Sequence, residues 1–147
     1  MTEEAALKLK DVQFDAIFCS PLMRTMQTAN IINKYHNAKE IKDSRLIEID
    51  QGILTGKSIL KLTEEEKELR LVRDERYGIE SYKSVYERIV SFVKDLKQYK
   101  QYETILIVTH NVTASCLENI FRNVEVNFSD DSQLKLFNNA EVKVFKI

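Results

Sequence analysis

Asp15-Ala16-Ile17-Phe18-Cys19-Ser20-Pro21-Leu22-Met23-Arg24-Thr25 changes character midway. Its first half is a short apolar run, the pattern of a buried strand. Its second half opens a helix. Ser20 can cap it, and Pro21 suits its first position, where a missing N–H costs nothing. Leu22, Met26, Ala29 and Ile32 then recur at helical spacing through Tyr35, which gives one apolar stripe. A strand that turns directly into an amphipathic helix is the unit of a layered α/β domain.

The alternation continues to both sides. Ala5 to Val12 reads as a short helix behind Thr2. Arg45 to Ile49 is expected as a strand ending near Gly52 and Gly56. Thr63 to Arg73 is a highly charged helix in which Thr63 and Glu66 fit a capping box. Ser81 caps a stronger helix with the stripe Tyr82, Val85, Ile89, Phe92 or Val93, and Leu96. Thr104-Ile105-Leu106-Ile107-Val108 is the clearest buried strand, apolar on both faces as parallel strands are. A helix from about Thr113 to Phe121 follows. Glu141 to Ile147 alternates as a final strand, with Val142, Val144 and Phe145 apolar. The expected fold is α/β, three layers (α/β/α) around a mainly parallel sheet, as one domain over residues 1–147. Such sheets bind ligands beyond the carboxyl ends of their strands, where Arg24 and His110 both fall.

Composition narrows the function. A net charge of −1 gives no reason to expect nucleic acid or an anionic membrane as partner. No apolar stretch approaches the ~20 residues of a membrane span. The acidic start, Met1-Thr2-Glu3-Glu4-Ala5, lacks the apolar segment of a signal peptide. Cys19 and Cys116 lie far apart with no metal-ligand spacing, so a reducing, cytoplasmic setting without metal or other cofactor is expected.

Four segments in order resemble the histidine phosphatase superfamily, the phosphoglycerate mutase-like proteins. Phe18-Cys19-Ser20-Pro21-Leu22-Met23-Arg24-Thr25, with Gln27-Thr28-Ala29, is similar to its second motif. Leu46-Ile47-Glu48-Ile49-Asp50-Gln51-Gly52 resembles its acid-bearing loop. Gly78-Ile79-Glu80-Ser81 resembles the Gly-Glu-Ser that opens a helix, and Leu106-Ile107-Val108-Thr109-His110-Asn111 the strand carrying its second histidine. The resemblance implies phosphomonoester hydrolysis or phosphoryl transfer on a phosphorylated small molecule. Arg24, in the first turn of a helix, is placed to grip phosphate bidentately, with Ser20 and His110 completing the phosphate-binding set. His110 would act as a cationic donor to the transferring group. Glu48 stands where some members carry a proton donor, against the simpler reading of a carboxylate that orders its loop. For Glu80 a charge near a helix N-terminus suffices. His36 reads as a charge at the C-terminal end of its helix.

The superfamily opens with a strand ending in Arg-His-Gly, whose histidine is the nucleophile. The resemblance here begins after it, since Met1-Thr2-Glu3-Glu4-Ala5 resembles the Leu-Thr-Glu-Glu-Gly that follows. His36 and His110 are the two histidines of the chain, and no Arg-His-Gly occurs. His36 lies at the far end of the Arg24 helix, roughly 20 Å away at 1.5 Å per residue. Relative to the family the chain reads as N-terminally truncated. Weak phosphate binding and little turnover are expected, because losing such a nucleophile costs on the order of 10⁴ to 10⁶ in rate. The strand ending at His110 would lose its central neighbour, so dimerisation or repair of the sheet is expected, with Glu141 to Ile147 the nearest candidate. Asn111 replaces the family's glycine and tolerates a left-handed turn. Three other readings stay open. One is a non-catalytic phosphate- or protein-binding relative. Another is an incomplete gene product or a start at an internal methionine. The third is a cysteine phosphatase, which Cys19 and Arg24 fit poorly in spacing and which Ser20-Pro21-Leu22-Met23 fits poorly for want of glycine.

Overall fold

A computed structural model describes residues 2–128 and 141–147. Helix α1 (Thr2–Leu9) leads into strand β1 (Ala16–Cys19) and helix α2 (Met23–Asn33). Strand β2 (Lys39–Lys42) follows, then three short 3₁₀ turns and helix α3 (Glu64–Val72). Helix α4 (Tyr82–Leu96), strand β3 (Ile105–Val108) and helix α5 (Asn111–Phe121) complete the order.

The sheet runs β2-β1-β3, parallel throughout. Side chains of β1 alternate between two cores, as a strand's period of two requires. Ile17 and Cys19 pack with Ala6, Leu9, Ala29 and Ile32 of α1 and α2. Ala16 and Phe18 pack on the other face with Val85, Ile89, Phe92, Cys116 and Leu117 of α4 and α5. Phe18 meets the Phe92 ring edge-on at 5.7 Å, a geometry aromatic quadrupoles favour. The α/β layering and the parallel sheet agree with the sequence expectation; the central place of β1 among the described strands was not foreseen.

Local signals explain most elements. The Thr63 hydroxyl accepts from Glu66 N–H, and the Glu66 carboxylate accepts from Thr63 N–H, which closes the capping box of α3. Ser81 caps α4 by accepting from Ser84 N–H. Gly52 is required by space as well as by its φ of +53°, since a Cβ there would lie 2.3 Å from the Tyr77 carbonyl oxygen. That close approach lets Gln51 and Ile79 bridge the two loops.

Five expectations need correction. Ser20 does not cap α2; Leu22 is the residue at that position, and no side chain caps the helix. Arg45 to Ile49 is no strand: the Asp43 carboxylate accepts from Arg45 N–H and folds Ser44–Leu46 into a 3₁₀ turn. The strand at that side is Lys39–Lys42. Among the described residues Glu141 to Ile147 pairs with no strand; it lies along α5, where Lys143 donates to Glu118 and Phe145 packs on Phe121 at 5.4 Å. It therefore does not repair the sheet. Asn111 is the first residue of α5 and not a left-handed turn. His36 makes no hydrogen bond to the end of α2; its ring stands edge-on to Phe14 at 4.8 Å, and among the described residues neither ring nitrogen has a hydrogen-bond partner.

Candidate functional site

Adjacent parallel strands deliver their chain ends to the same side of the sheet. β1 ends into Ser20, and β3 ends into Thr109 and His110 beside it, with Ser20 N–H donating to the Val108 carbonyl at 3.1 Å. From the first turn of α2, Arg24 reaches across to His110. Its Nε lies 3.1 Å and its Nη2 2.9 Å from His110 Nδ1. A guanidinium has donors only, so Nδ1 must accept and the ring proton sits on Nε2. That Nε2–H faces Ser20 Oγ at 2.9 Å, and the same oxygen accepts from Leu22 N–H. Thr25, buried against this turn, hydrogen-bonds the Ser20 and Leu22 carbonyls. Ser20, Arg24 and His110 thus form one connected unit.

The electrostatics differ from the expectation in one respect. Burial, then the Arg24 charge, pushes the His110 pKa below its ordinary value, with Arg88 adding to the effect and Glu48 opposing it. His110 is therefore a neutral ring here and not a cationic donor. It becomes one only if an incoming anion outweighs Arg24.

Glu48 lines the same cavity. Its carboxylate accepts from Val112 N–H and Thr113 N–H, both at 3.3 Å, at the start of α5. It is the cap of that helix, because His110 at the N-cap position contributes no side-chain hydrogen bond. Glu80 is held elsewhere. It takes Arg88 through both oxygens, at 2.8 and 3.1 Å, and accepts from Asp50 N–H. Burial pushes its carboxyl up most strongly, but the Arg88 hydrogen bonds, the Asp50 amide, the Arg88 charge and the Ser84 hydroxyl together outweigh it and hold the carboxyl below the usual range. Arg73, which sequence reading passed over, ties the two acidic loops together. It donates to the Asp50 and Glu80 carbonyls and to Gln51 Oε1, all within 2.9 Å. No residue-type pattern marked this role; its left-handed φ of 52° at the end of α3 is a property of the folded backbone.

Cys19 is fully buried and burial raises its pKa, which disfavours the thiolate a cysteine phosphatase needs. Cys116 is pushed up to about 11 by the same cause. Among the described residues no three His, Cys, Asp or Glu side chains converge as metal ligands. No described helix is long and apolar enough to cross a membrane.

The cavity joining these groups, of about 520 Å³, runs from Arg24, Glu48 and His110 along β3 to Leu9 and Ile32. An anion at its polar end would meet the Arg24 guanidinium, the His110 imidazole and the first turn of α2, with the buried Ser20 hydroxyl behind the imidazole.

Comparisons with known proteins bear on the fold and the family. Phosphoserine phosphatase 1 of Hydrogenobacter thermophilus is 34% identical over 113 residues, covering 73% of this chain and 54% of that protein. The probable phosphoglycerate mutase GpmB of Escherichia coli is 32% identical over 120 residues, covering 78% of this chain and 56% of that protein. The chain thus spans little more than half the length of these curated relatives. Among solved structures, the alpha-ribazole phosphatase of Shigella flexneri superposes with a TM-score of 0.74 at 22% identity, covering 99% of this chain and 83% of that one. A Bacillus anthracis phosphoglycerate mutase gives 0.69 at 20% identity, with 92% and 68% covered; both show a shared fold. The sequence model of one family matches residues 1–147 in full, and by that match the chain belongs to the histidine phosphatase superfamily, branch 1.

Proposed function

We propose that this chain binds a phosphate monoester at Arg24, Ser20 and His110, and that these 147 residues alone turn it over hardly at all. The observation that carries the binding half is the Arg24–His110–Ser20 unit at the ends of β1 and β3, beside a helix start that no side chain caps. The relatives' names, phosphoserine phosphatase and phosphoglycerate mutase, support hydrolysis or phosphoryl transfer as the chemistry of the family site. Covalent phosphoryl transfer through a histidine needs a nucleophile at the phosphate. His110 is occupied on both nitrogens, and His36 sits against Phe14, which precedes β1, at the opposite end of the sheet. Glu48, engaged by two amides of α5, serves as a structural cap in this reading, with a proton-donor role open to it only in a site that transfers phosphate. Buried free thiols at Cys19 and Cys116 support a reducing, cytoplasmic setting.

Two measurements test the reading. Calorimetric titration with inorganic phosphate should show binding that Arg24→Ala weakens by about tenfold or more, as loss of a charged hydrogen-bond donor does. Hydrolysis of p-nitrophenyl phosphate by this chain should stay on the order of 10⁴-fold or more below rates of a phosphohistidine enzyme. Phosphate binding indifferent to Arg24→Ala refutes the first half; turnover at ordinary phosphatase rates refutes the second.

A further inference from the structure

The loop that carries Glu48 is held by its backbone. Between β2 and Glu48 the chain makes one 3₁₀ turn, Ser44–Leu46, so most of its carbonyls have no partner within the segment. Burying such groups unpaired is costly. Side chains from other elements take them almost in succession. Arg88 of α4 donates to the Arg45 carbonyl. Thr109 Oγ1 donates to Leu46 and Thr113 Oγ1 to Ile47, both at 2.6 Å. Arg73 donates to Asp50 at 2.9 Å. The arginines anchor the two ends of the loop, and the threonines hold the two residues that lead into Glu48.

The threonines also flank His110, one residue before it and three after. The loop is therefore registered against the same strand end and helix start that carry the imidazole. Thr113 is fully buried and reaches the loop twice, through its hydroxyl to Ile47 and through its N–H to Glu48 Oε1. Its β-branch restricts χ1, which fixes where the hydroxyl points. Distances show which contacts do the holding. The Glu48 carboxylate lies 3.3 Å from each of its two α5 amides, beyond the range of about 2.7–3.2 Å for good N–H···O bonds. The two hydroxyl bonds, at 2.6 Å, fall within the strong range for O–H···O. The carboxylate thus stays on α5 because the backbone beneath it is pinned.

We infer that Thr109 and Thr113 are positioning residues of the anion site and act on it through Glu48. They keep its carboxylate over the α5 amides, and so close that helix end to an anion. This rests on the phosphate reading above and adds what confines the anion to the Arg24 end.

The test is a double-mutant cycle on the full chain, Thr113→Val with Glu48→Ala, read as sulfate affinity by calorimetry. Thr113→Val keeps the shape of the side chain and removes the hydroxyl. A loosened Glu48 uncovers the α5 amides and withdraws a negative charge. Thr113→Val should therefore tighten sulfate by about three- to tenfold, the worth of one hydrogen bond. In the Glu48→Ala background the same change should alter affinity by less than about twofold. Thr113→Ser, which retains the hydroxyl, should match the wild type. The Val112 amide should exchange faster in the valine variant and not in the serine variant. Should Thr113→Val fail to fold, Thr109→Val carries the same expectations through the neighbouring carbonyl. Equal effects in both backgrounds, a lowered urea midpoint with sulfate affinity untouched, or a serine variant that behaves as the valine one overturns the positioning role and leaves the phosphate site standing. Wild-type sulfate binding that is absent or indifferent to Arg24→Ala overturns the phosphate reading and this inference with it.

Discussion

Anion binding at the Arg24–His110 pair should take up a proton, and the structure sets its sign. In the free chain Arg24 points both donors at His110 Nδ1, and burial with that charge holds the imidazole below its ordinary pKa. An anion that recruits Arg24 removes the donor from Nδ1. The vacated nitrogen then faces the anion and is worth most with a proton on it, as a second cationic donor. Bound protein therefore holds more protons than free protein, and affinity must rise as pH falls. The groups that bias the ring remain as constant background: Glu48 from its loop and Arg88 from α4. Sulfate is the right probe, because it keeps its charge throughout the range. Between pH 6 and 8 sulfate affinity should fall as pH rises, by at most about tenfold per pH unit for one linked proton. Titration calorimetry in two buffers of different ionisation heat should count about one proton taken up per sulfate near neutrality, if one group carries the linkage. His110→Gln should flatten the profile and abolish the uptake. A sulfate affinity constant over that range, with no proton uptake, would show that the anion binds Arg24 and leaves the imidazole neutral, and the reasoning fails.

Three further outcomes follow from the same contacts. Glu48→Ala removes the carboxylate that accepts from Val112 and Thr113, so urea denaturation should show a loss of about 1 kcal/mol, the usual worth of a helix cap; an unchanged midpoint would deny it the capping role. Gly52→Ala forces a Cβ to 2.3 Å from the Tyr77 oxygen at a positive φ, and should cost on the order of 2 kcal/mol or more and disrupt the Gln51–Ile79 bridge in amide exchange. The lowered His110 pKa means the unfolded chain binds more protons, so this residue's contribution to stability is present above its unfolded value of about 6.5 and is lost as pH falls below it. Urea midpoints for the wild type and His110→Gln, compared between neutral and mildly acid pH, should converge on acidification; parallel curves would refute the shift.

How far the sequence reached depends on where each signal resides. β1, α2, α4 and β3 announce themselves because burial on both sides of a strand, or on one stripe of a helix, leaves an apolar period in the residues themselves. β2 leaves none. As an edge strand it needs only backbone pairing to β1, and Lys39-Glu40-Ile41-Lys42 offers one apolar residue in four. The run Arg45 to Ile49 has a strand's composition but is captured by a local competitor, the Asp43 carboxylate, which binds both the backbone and the guanidinium of Arg45. In Glu141 to Ile147 the alternation is satisfied by a helix: Phe145 covers Phe121 of α5. At the site, Ser20, Arg24 and His110 were legible because strand ends are local features. The partners of Glu48 were not, for they lie 64 and 65 residues away and are backbone amides, which no side-chain pattern encodes.

Two helix starts meet at the candidate site, and the chain treats them oppositely. The start of α5 is given a carboxylate of its own, Glu48, so its amides are satisfied and its positive end is neutralised within the fold. The start of α2 receives no side-chain cap and carries Arg24 in its first turn. An anion entering the cavity is thus drawn to one end, where a cation and an open helix terminus coincide, and is repelled from the other by Glu48. His110 stands between them as the N-cap residue of α5 and the acceptor for Arg24. Burial first, and then the Arg24 charge, hold its pKa below the ordinary value, and the Glu48 charge opposes them without prevailing. Removing Glu48 frees the α5 amides and takes away the repelling charge together. The anion affinity of Glu48→Ala should therefore rise even as the fold weakens, a pairing of effects that a proton-donor role for Glu48 alone would not produce.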